Sequence, residues 1–366
     1  LSSPPFTIDE LQVPASMSDP DATDFAEMVD VRNAVEAASL GSDALSYGAS
    51  ELLPVFQAPE YTPRRLFVAR VGRRIVGRGV LSWSTVPDTS VSRLVVEVLP
   101  ELRRRGIGSA LFDHLERLAM ESGRPTLQAQ AVHSRVTSGE RVAAASGFGH
   151  LSTADPGVRF MQRRGYRLEQ VKRISFLDLP VDPHRLLALR RSAQDAAGDA
   201  YHVVNWTGRT PRRWISDLAL LKSRMSSDDP TAGLAVSEEV WDDARVVDRD
   251  EKQVASGREM LTVAVEHLPS GRLVGLSELT FSHDRTRPVR QEDTLVLTEH
   301  RGRRLGMLLK AANLLTLAGE NPGSSLVYTF NAEENWPMLA INEQLGFRAV
   351  GYEGGWEKVT SSKAGR

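Results

Sequence analysis

The chain has 366 residues, 41% apolar and 25% charged, with 45 basic against 47 acidic side chains and a formal charge of −2. That length suits two domains, the composition excludes extensive disorder, and the balanced charge excludes a global field for nucleic acid or anionic membrane. The lack of cysteine excludes disulfides, thiolate metal sites and a cysteine nucleophile. No stretch approaches the roughly 18 to 20 apolar residues that cross a bilayer, and Leu1–Pro5 lacks a basic segment leading into an apolar one, so cytoplasmic residence is expected.

In chain order, a Pro- and Asp-rich arm to about Pro20 precedes a helix carrying Phe25, Met28, Val29, Val31 and Val35. Phe67–Val71 and Ile75–Leu81 around Gly72-Arg73-Arg74 read as a hairpin, and Leu94–Val98 as a mostly buried strand. From Ile107 the positions Ala110, Leu111, His114, Leu115 and Leu118 give one apolar helix face, which stops near Gly123. Residues 131–157, rich in Ser, Gly and Ala, read as an inserted surface loop, with His133 and His150 as surface histidines. A helix ending at Arg163-Arg164-Gly165 and a strand near Ile174–Phe176 close the first half.

Residues 181–199 read as a charged, helical linker, after which the pattern restarts at Tyr201–Val204. A helix through Leu218, Leu221 and Met225 follows, then a second hairpin, Leu261–Val265 and Leu273–Leu276, around Ser270-Gly271-Arg272. Thr294–Leu297 reads as a strand, Met307–Ala318 as a helix, Leu326–Phe330 as a strand, and Asn335–Leu345 as a helix stopped by Gly346. The expectation is an α+β architecture of two tandem domains, 1–180 and 200–366, each a mixed, mainly antiparallel sheet flanked by helices. Trp206, Trp214, Trp241 and Tyr201 are expected in the core rather than around a ligand.

The halves share a landmark. Arg103-Arg104-Arg105-Gly106-Ile107-Gly108 and Arg301-Gly302-Arg303-Arg304-Leu305-Gly306 lie 198 residues apart, and so do Ile75-Val76-Gly77 and Leu273-Val274-Gly275. A repeat this long indicates two whole domains rather than solenoid units. Each loop ends a strand and opens a helix, where unpaired N–H groups and the positive end of the helix dipole favour an anion. Gly106 and Gly108 let a diphosphate approach the main chain, and the arginines supply fork-shaped donors. In the second copy Arg304 replaces Gly106, giving a more basic and less open loop. The bland reading of one such hexapeptide is a solvated basic turn; its recurrence in the same context favours anion binding.

At these residues the chain resembles the GNAT superfamily of acyl-CoA-dependent N-acyltransferases, whose signature is [Gln/Arg]-x-x-Gly-x-[Gly/Ala]. Arg103, Gly106 and Gly108 match it, with Val98-x-Pro100-Glu101 as lead-in and Val296–Arg301 as its second version. Asn335-x-x-Met338-Leu339-x-Ile341-Asn342 through Gly346-Phe347 is similar to the family's later motif, as is Met161–Tyr166 in the first half. The resemblance implies acetyl-CoA as co-substrate, held by Val98, Arg103, Arg104, Arg105, Gly106, Ile107, Gly108 and Ser109, and by Val296, Arg301, Gly302, Arg303, Arg304, Leu305, Gly306 and Asn335. It implies acetyl transfer to an amine of a small molecule, with no metal, no nucleic acid and no membrane partner.

Such an amine must lose a proton before attack, and a backbone N–H beside the thioester would stabilise the oxyanion. The candidate bases are Glu97 in the first half and Glu292 or Asp293 in the second. The tyrosine that the family often uses to protonate the leaving thiolate is replaced by Asn342 and by Met161. Asparagine can donate only a hydrogen bond and methionine nothing, so that proton must come from water or elsewhere. Asn335 is read first as a helix cap, because Trp336-Pro337 fits a first helical turn. The alternative to an enzyme is a non-catalytic acyl-CoA-binding or regulatory protein of the same layout.

Overall fold

The computed structural model describes residues 5–57, 60–85, 90–135, 139–228, 230–236 and 238–360. Its elements are β1 (Thr7–Glu10), α1 (Ala22–Leu40), α2 (Ala49–Phe56), β2 (Arg64–Val71), β3 (Arg74–Ser82), β4 (Val91–Val98), α3 (Ile107–Glu121), β5 (Thr126–Ser134), β6 (Arg141–Ala143), β7 (His150–Ser152), α4 (Pro156–Arg163) and β8 (Arg167–Asp178). There follow α5 (Pro183–Ala197), β9 (Tyr201–Thr207), α6 (Ile215–Asp228), α7 (Asp243–Ala255), β10 (Arg258–His267), β11 (Arg272–Ser282), β12 (Val289–Val296), α8 (Leu305–Glu320), β13 (Leu326–Ala332), α9 (Trp336–Leu345) and β14 (Arg348–Val359).

Two compact units form, and their boundaries interleave in the chain where the sequence suggested contiguous halves. Unit 1 takes residues 1–172, 231–237 and 351–366; unit 2 takes 173–230 and 238–350. The expected linker 181–199 is mostly α5, and its Leu186 and Ala193 belong to the core of unit 2. The interleaving follows from strand pairing, because the last nine residues of β14 run antiparallel to β5, from Gly351 opposite Ser134 to Val359 opposite Thr126. Trp356 on that strand is fully buried in the unit 1 core.

In unit 1 the strands run β1-β2-β3-β4-β5-β14, antiparallel except for the parallel pair β4–β5. Helix α1 covers β3, β4 and β5 with Phe25, Met28, Val29 and Val35 buried at helical spacing. Helix α3 covers β3 and β4 through Ile107, Leu111, Leu115 and Ala119. Gly77 is the close-approach point: a Cβ there would lie 3.0 Å from Glu97 O and 3.4 Å from Leu111 Cδ1. Unit 2 repeats the plan in the order β13-β12-β11-β10-β9, with β12–β13 as its parallel pair. Gly275 serves as Gly77 does, its added Cβ falling 2.9 Å from Leu295 O and 3.3 Å from Leu309 Cδ1.

The segment read as an inserted loop is more ordered than its composition suggested. Residues 131–134 continue β5, and β6 pairs with β7 in a small antiparallel hairpin. Leu151 and Ala144 anchor it in the core, which the Ser/Gly content hid. Residues 136–138 of that segment lie outside the described residues. Among the described residues, no helix is long and apolar enough to cross a membrane.

Candidate active site

Both loops are built by the same local bonds. Leu99 N–H donates to Val76 O at 3.0 Å, and Leu297 N–H to Val274 O at 2.9 Å, pinning each strand end to its hairpin. The leading arginine of each loop then turns back, Arg103 Nε donating to Val98 O at 3.0 Å and Arg301 Nε to Val296 O at 2.9 Å. One face of each arginine is thereby committed to shaping the turn.

Beyond that point the copies differ. In unit 1, Gly106 caps α3 with φ +84°, a left-handed conformation that suits glycine. The first helical bond is from Ala110 N–H to Gly106 O at 3.0 Å, which leaves the N–H groups of Ile107, Gly108 and Ser109 without a helical acceptor. Ile107 buries its side chain, so it can offer a ligand only its backbone, whereas Ser109 is exposed. Arg104 and Arg105 are exposed and, among the described residues, form no ion pair or hydrogen bond. A Cβ on Gly106 would meet nothing within 4 Å, and one on Gly108 only Val98 Cγ2 at 3.6 Å. The junction is open and cationic, which fits a diphosphate.

In unit 2 the arginines already have partners. Arg301 Nη2 lies 2.7 Å from Asp228, Arg303 Nε donates to Tyr201 Oη at 2.9 Å, and Arg304 Nη1 donates to Ser192 Oγ at 2.8 Å. Tyr201 Oη also lies 3.0 Å from His300 Nδ1, whose pKa burial and the neighbouring His267 hold below the usual imidazole value. Gly302 turns the chain at φ +79°, and Arg304, at φ +57°, caps α8 in the conformation that Gly106 adopts in unit 1. Leu305 is buried, and a Cβ on Gly306 would sit 3.0 Å from Ile341 Cδ1 of α9. This loop has the same path, and its arginines, though exposed, are tied to protein partners.

Each loop lies at the end of a strand that parts from its parallel neighbour. β4 pairs with β5 only from Val91 opposite Thr126 to Leu94 opposite Ala129, so Val95–Val98 leave that partner. β12 pairs with β13 only at Val289 opposite Val327 and Arg290 opposite Tyr328. The parting leaves Val95–Val98 without a partner on β5 and Thr294–Val296 without one on β13, a setting in which a backbone N–H can meet a bound carbonyl.

The three candidate carboxylates are all engaged. Glu97 pairs with Arg78 Nε, and both side chains are about nine-tenths buried. Arg78 points away from α3, its Nη1 3.7 Å from Met28 Sδ of α1. In unit 2 the β11–β12 register shifts between Ser277 opposite Thr294 and Leu279 opposite Gln291, so Glu292 and Asp293 together face Glu278. The matching stretch of unit 1 has no such bulge, running evenly from Gly77 opposite Val98 to Ser82 opposite Arg93. Asp293 lies 2.7 Å from Lys222 Nζ, and Glu292 accepts from Thr280 Oγ1 at 3.0 Å and pairs with Arg290 at 3.1 Å. Lys222 and Arg249 also flank the fully buried Glu278. Desolvation raises the Glu278 pKa, but Arg249 and Lys222 outweigh it and bring it down to about 2.

Asn342 is buried and donates from Nδ2 to Asn331 Oδ1 at 2.7 Å, leaving its own Oδ1 without a hydrogen bond. Met161 is buried in the unit 1 core. Asn335 caps α9, its Oδ1 accepting from Met338 N–H at 3.3 Å. Tyr201 and Trp214 are core residues, and Trp206 and Trp241 pack against that core. His133 is a correction to the surface reading: it is 3% exposed, with Nδ1 3.2 Å from Asp155, the cap of α4. Among the described residues, no group of three or more His, Asp and Glu could hold a metal ion.

Sequence reasoning missed Glu36. It follows Val29 by seven residues, which places a carboxyl on the buried face of α1, and that spacing was the available signal. Glu36 Oε2 lies 2.8 Å from Arg32 Nη2 of the preceding turn, an ion pair without hydrogen-bond alignment. Burial pushes its pKa up to about 7, with Arg32 and Arg78 opposing and Glu97 and Glu353 adding to the rise.

Comparison with known proteins agrees with this geometry. Residues 62–168 match the family model described as an acetyltransferase (GNAT) domain. The chain is similar to a solved tandem GNAT protein from the clavulanic acid biosynthesis pathway, at 25% identity and TM-score 0.72, covering 97% of this chain and 98% of that one. It shares its fold with a GCN5-related N-acetyltransferase from Sphaerobacter thermophilus, at 12% identity and TM-score 0.58, covering 96% and 95% of the two chains. It also shares its fold with the GCN5-related glucosamine N-acetyltransferase region of a fungal multi-domain β-N-acetylglucosaminidase, at 14% identity and TM-score 0.61, covering 98% of this chain and 38% of that one. No curated protein sequence matches the chain. Residues 62–168 thus match a GNAT acetyltransferase domain, and the chain as a whole shares the fold of a tandem GNAT protein.

Proposed function

We propose that the chain is an acetyl-CoA-dependent N-acetyltransferase in which unit 1 holds the coenzyme and carries out transfer to an amine of a small molecule. The observation that carries this reading is the contrast between the loops. Arg104 and Arg105 are unpaired among the described residues and Gly106 and Gly108 have room beside them in unit 1, while Arg301, Arg303 and Arg304 are bonded to protein partners and Gly306 is crowded by Ile341 in unit 2. The N–H groups of Ile107, Gly108 and Ser109 would hold the diphosphate, with Arg104 and Arg105 supplying charge. The main chain of Val95–Val98, released from β5, would meet the thioester carbonyl; one such donor is typically worth a factor of about 10² to 10³. Holding a free amine against the thioester supplies much of the remaining rate. The similar tandem GNAT protein comes from the pathway to a small molecule, which supports a small-molecule acceptor.

A non-catalytic acyl-CoA-binding role is the second reading, favoured by Met161 being buried in the core where the family often has a tyrosine. Release of free thiol from acetyl-CoA across a panel of primary amines separates the two. Transfer to at least one amine is expected. Binding of acetyl-CoA with no release on any amine selects the second reading.

A further inference from the structure

We infer that Tyr201, His300 and Arg303 form a proton-operated latch on the basic loop of unit 2, closed while His300 is neutral and opened to an anion when His300 takes up a proton. The inference concerns unit 2 alone and stands whether or not unit 1 transfers an acetyl group.

The hydrogen bonds set the logic. Tyr201, at the start of β9, is 6% exposed, and Gln194 Nε2 of α5 fixes its main chain by donating to Tyr201 O at 3.0 Å. One hydroxyl serves two partners, Arg303 Nε at 2.9 Å and His300 Nδ1 at 3.0 Å. Arg303 can only donate, so Tyr201 Oη accepts there and gives its own proton to His300 Nδ1. Among the described residues no other acceptor faces that hydroxyl. The arrangement therefore needs a neutral His300 with its proton on Nε2.

Protonation replaces the Nδ1 lone pair with an N–H. The phenol proton then loses its acceptor, and a second cation crowds the oxygen that holds Arg303. Arg303 is the partner that can leave, because it is exposed and can turn to an anion beside Arg301 and Arg304. The groups facing His300 are His267 at the end of β10, Glu299 of its own turn and Arg303 of the loop. The His267 ring centroid lies 4.8 Å from that of His300, and its Nδ1 lies 2.9 Å from Ser270 Oγ. Nearby, Asp228 at the end of α6 holds Arg301, and Ser192 of α5 holds Arg304. Burial, His267 and Arg303 disfavour the imidazolium and outweigh Glu299, so the latch is closed at neutral pH and opens in acid.

Unit 1 has no such device. The 198-residue offset sets Leu102 where unit 2 has His300, and Arg105 where it has Arg303. Arg105 is exposed and, among the described residues, unpaired.

NMR on the full-length protein tests the latch. With 15N-labelled histidine at about pH 8, neutral His300 should carry its proton on Nε2. Sulfate, a dianion throughout the range used, is then titrated while following the Arg303 Nε–H signal, assigned by its loss in Arg303→Lys. Binding should tighten about tenfold from about pH 8 to about pH 5.5. Tyr201→Phe keeps the buried ring and removes the shared oxygen, so at about pH 8 it should bind sulfate roughly threefold or more tighter than the parent. His300→Asn offers an uncharged acceptor near the place of Nδ1 and should keep weak, pH-independent binding. A proton on Nδ1 of neutral His300, a Tyr201→Phe variant that binds no tighter than the parent at about pH 8, or an undiminished pH response in His300→Asn overturns the latch. The tautomer in the parent decides alone should Tyr201→Phe fail to fold.

Discussion

Lys310 shows how one residue separates the two units. Its place on α8 corresponds to Phe112 on α3, which packs against Phe160 and Tyr166 in unit 1. Lys310 is 1% exposed, has no carboxylate partner among the described residues, and sits with its Nζ 5.3 Å from the centroid of the Phe347 ring. Desolvation lowers its pKa from 10.5 to about 7, a shift equivalent to roughly 5 kcal/mol at most. Because the folded-state value lies below the unfolded one, the cost is complete below pH 7 and vanishes above about 10.5. Lys310→Met should raise the thermal midpoint of the protein, by more at pH 6.5 than at pH 10. An unchanged or lowered midpoint at pH 6.5 would show that the buried amine is not a burden to unit 2.

Among the elements, β14 has the largest consequence for the site. Its residues 351–359 lie edge to edge with β5, the strand that parts from β4, and Trp356 fills the core between them. Glu357 adds polar ties, accepting from Gln128 Nε2 at 2.9 Å and from Ala235 N–H at 2.7 Å. Removing residues 351–366 would leave β5 as a bare edge and open a cavity the size of an indole, a loss of about 3 to 5 kcal/mol from the Trp alone. The truncated chain should therefore lose protection of β5 amides in hydrogen exchange and lose acetyl-CoA binding, although the loop at 103–108 is intact in sequence. Retained binding by the truncated chain would show that unit 1 does not need the strand.

Repetition within the chain made the elements around the loops legible. The shared spacing of Gly77 with Gly275 and of Arg103 with Arg301 marked strand, turn and helix in each half, and the structure reproduces even the arginine-to-carbonyl bond that shapes the turn. What the sequence could not show depends on pairings between distant residues. Glu97, Glu292 and Asp293 look like free carboxylates until Arg78, Arg290 and Lys222 are brought beside them. Glu36 looks like half of a surface i,i+4 pair until the fold buries both it and Arg32. The bulge that aligns Glu292 and Asp293 with Glu278 is a one-residue slip in register, and composition and periodicity carry no trace of it.

Taken as a whole molecule, the chain keeps two copies of one fold and, on the present account, a single working coenzyme site. Calorimetric titration of the full-length protein with acetyl-CoA tests this most directly. The predicted stoichiometry is one per chain, abolished by Gly108→Asp, whose Cβ has room in the fold but whose carboxylate would repel the diphosphate, and preserved by Ile341→Ala in unit 2. Two equivalent sites per chain, or one site that survives Gly108→Asp, would contradict it.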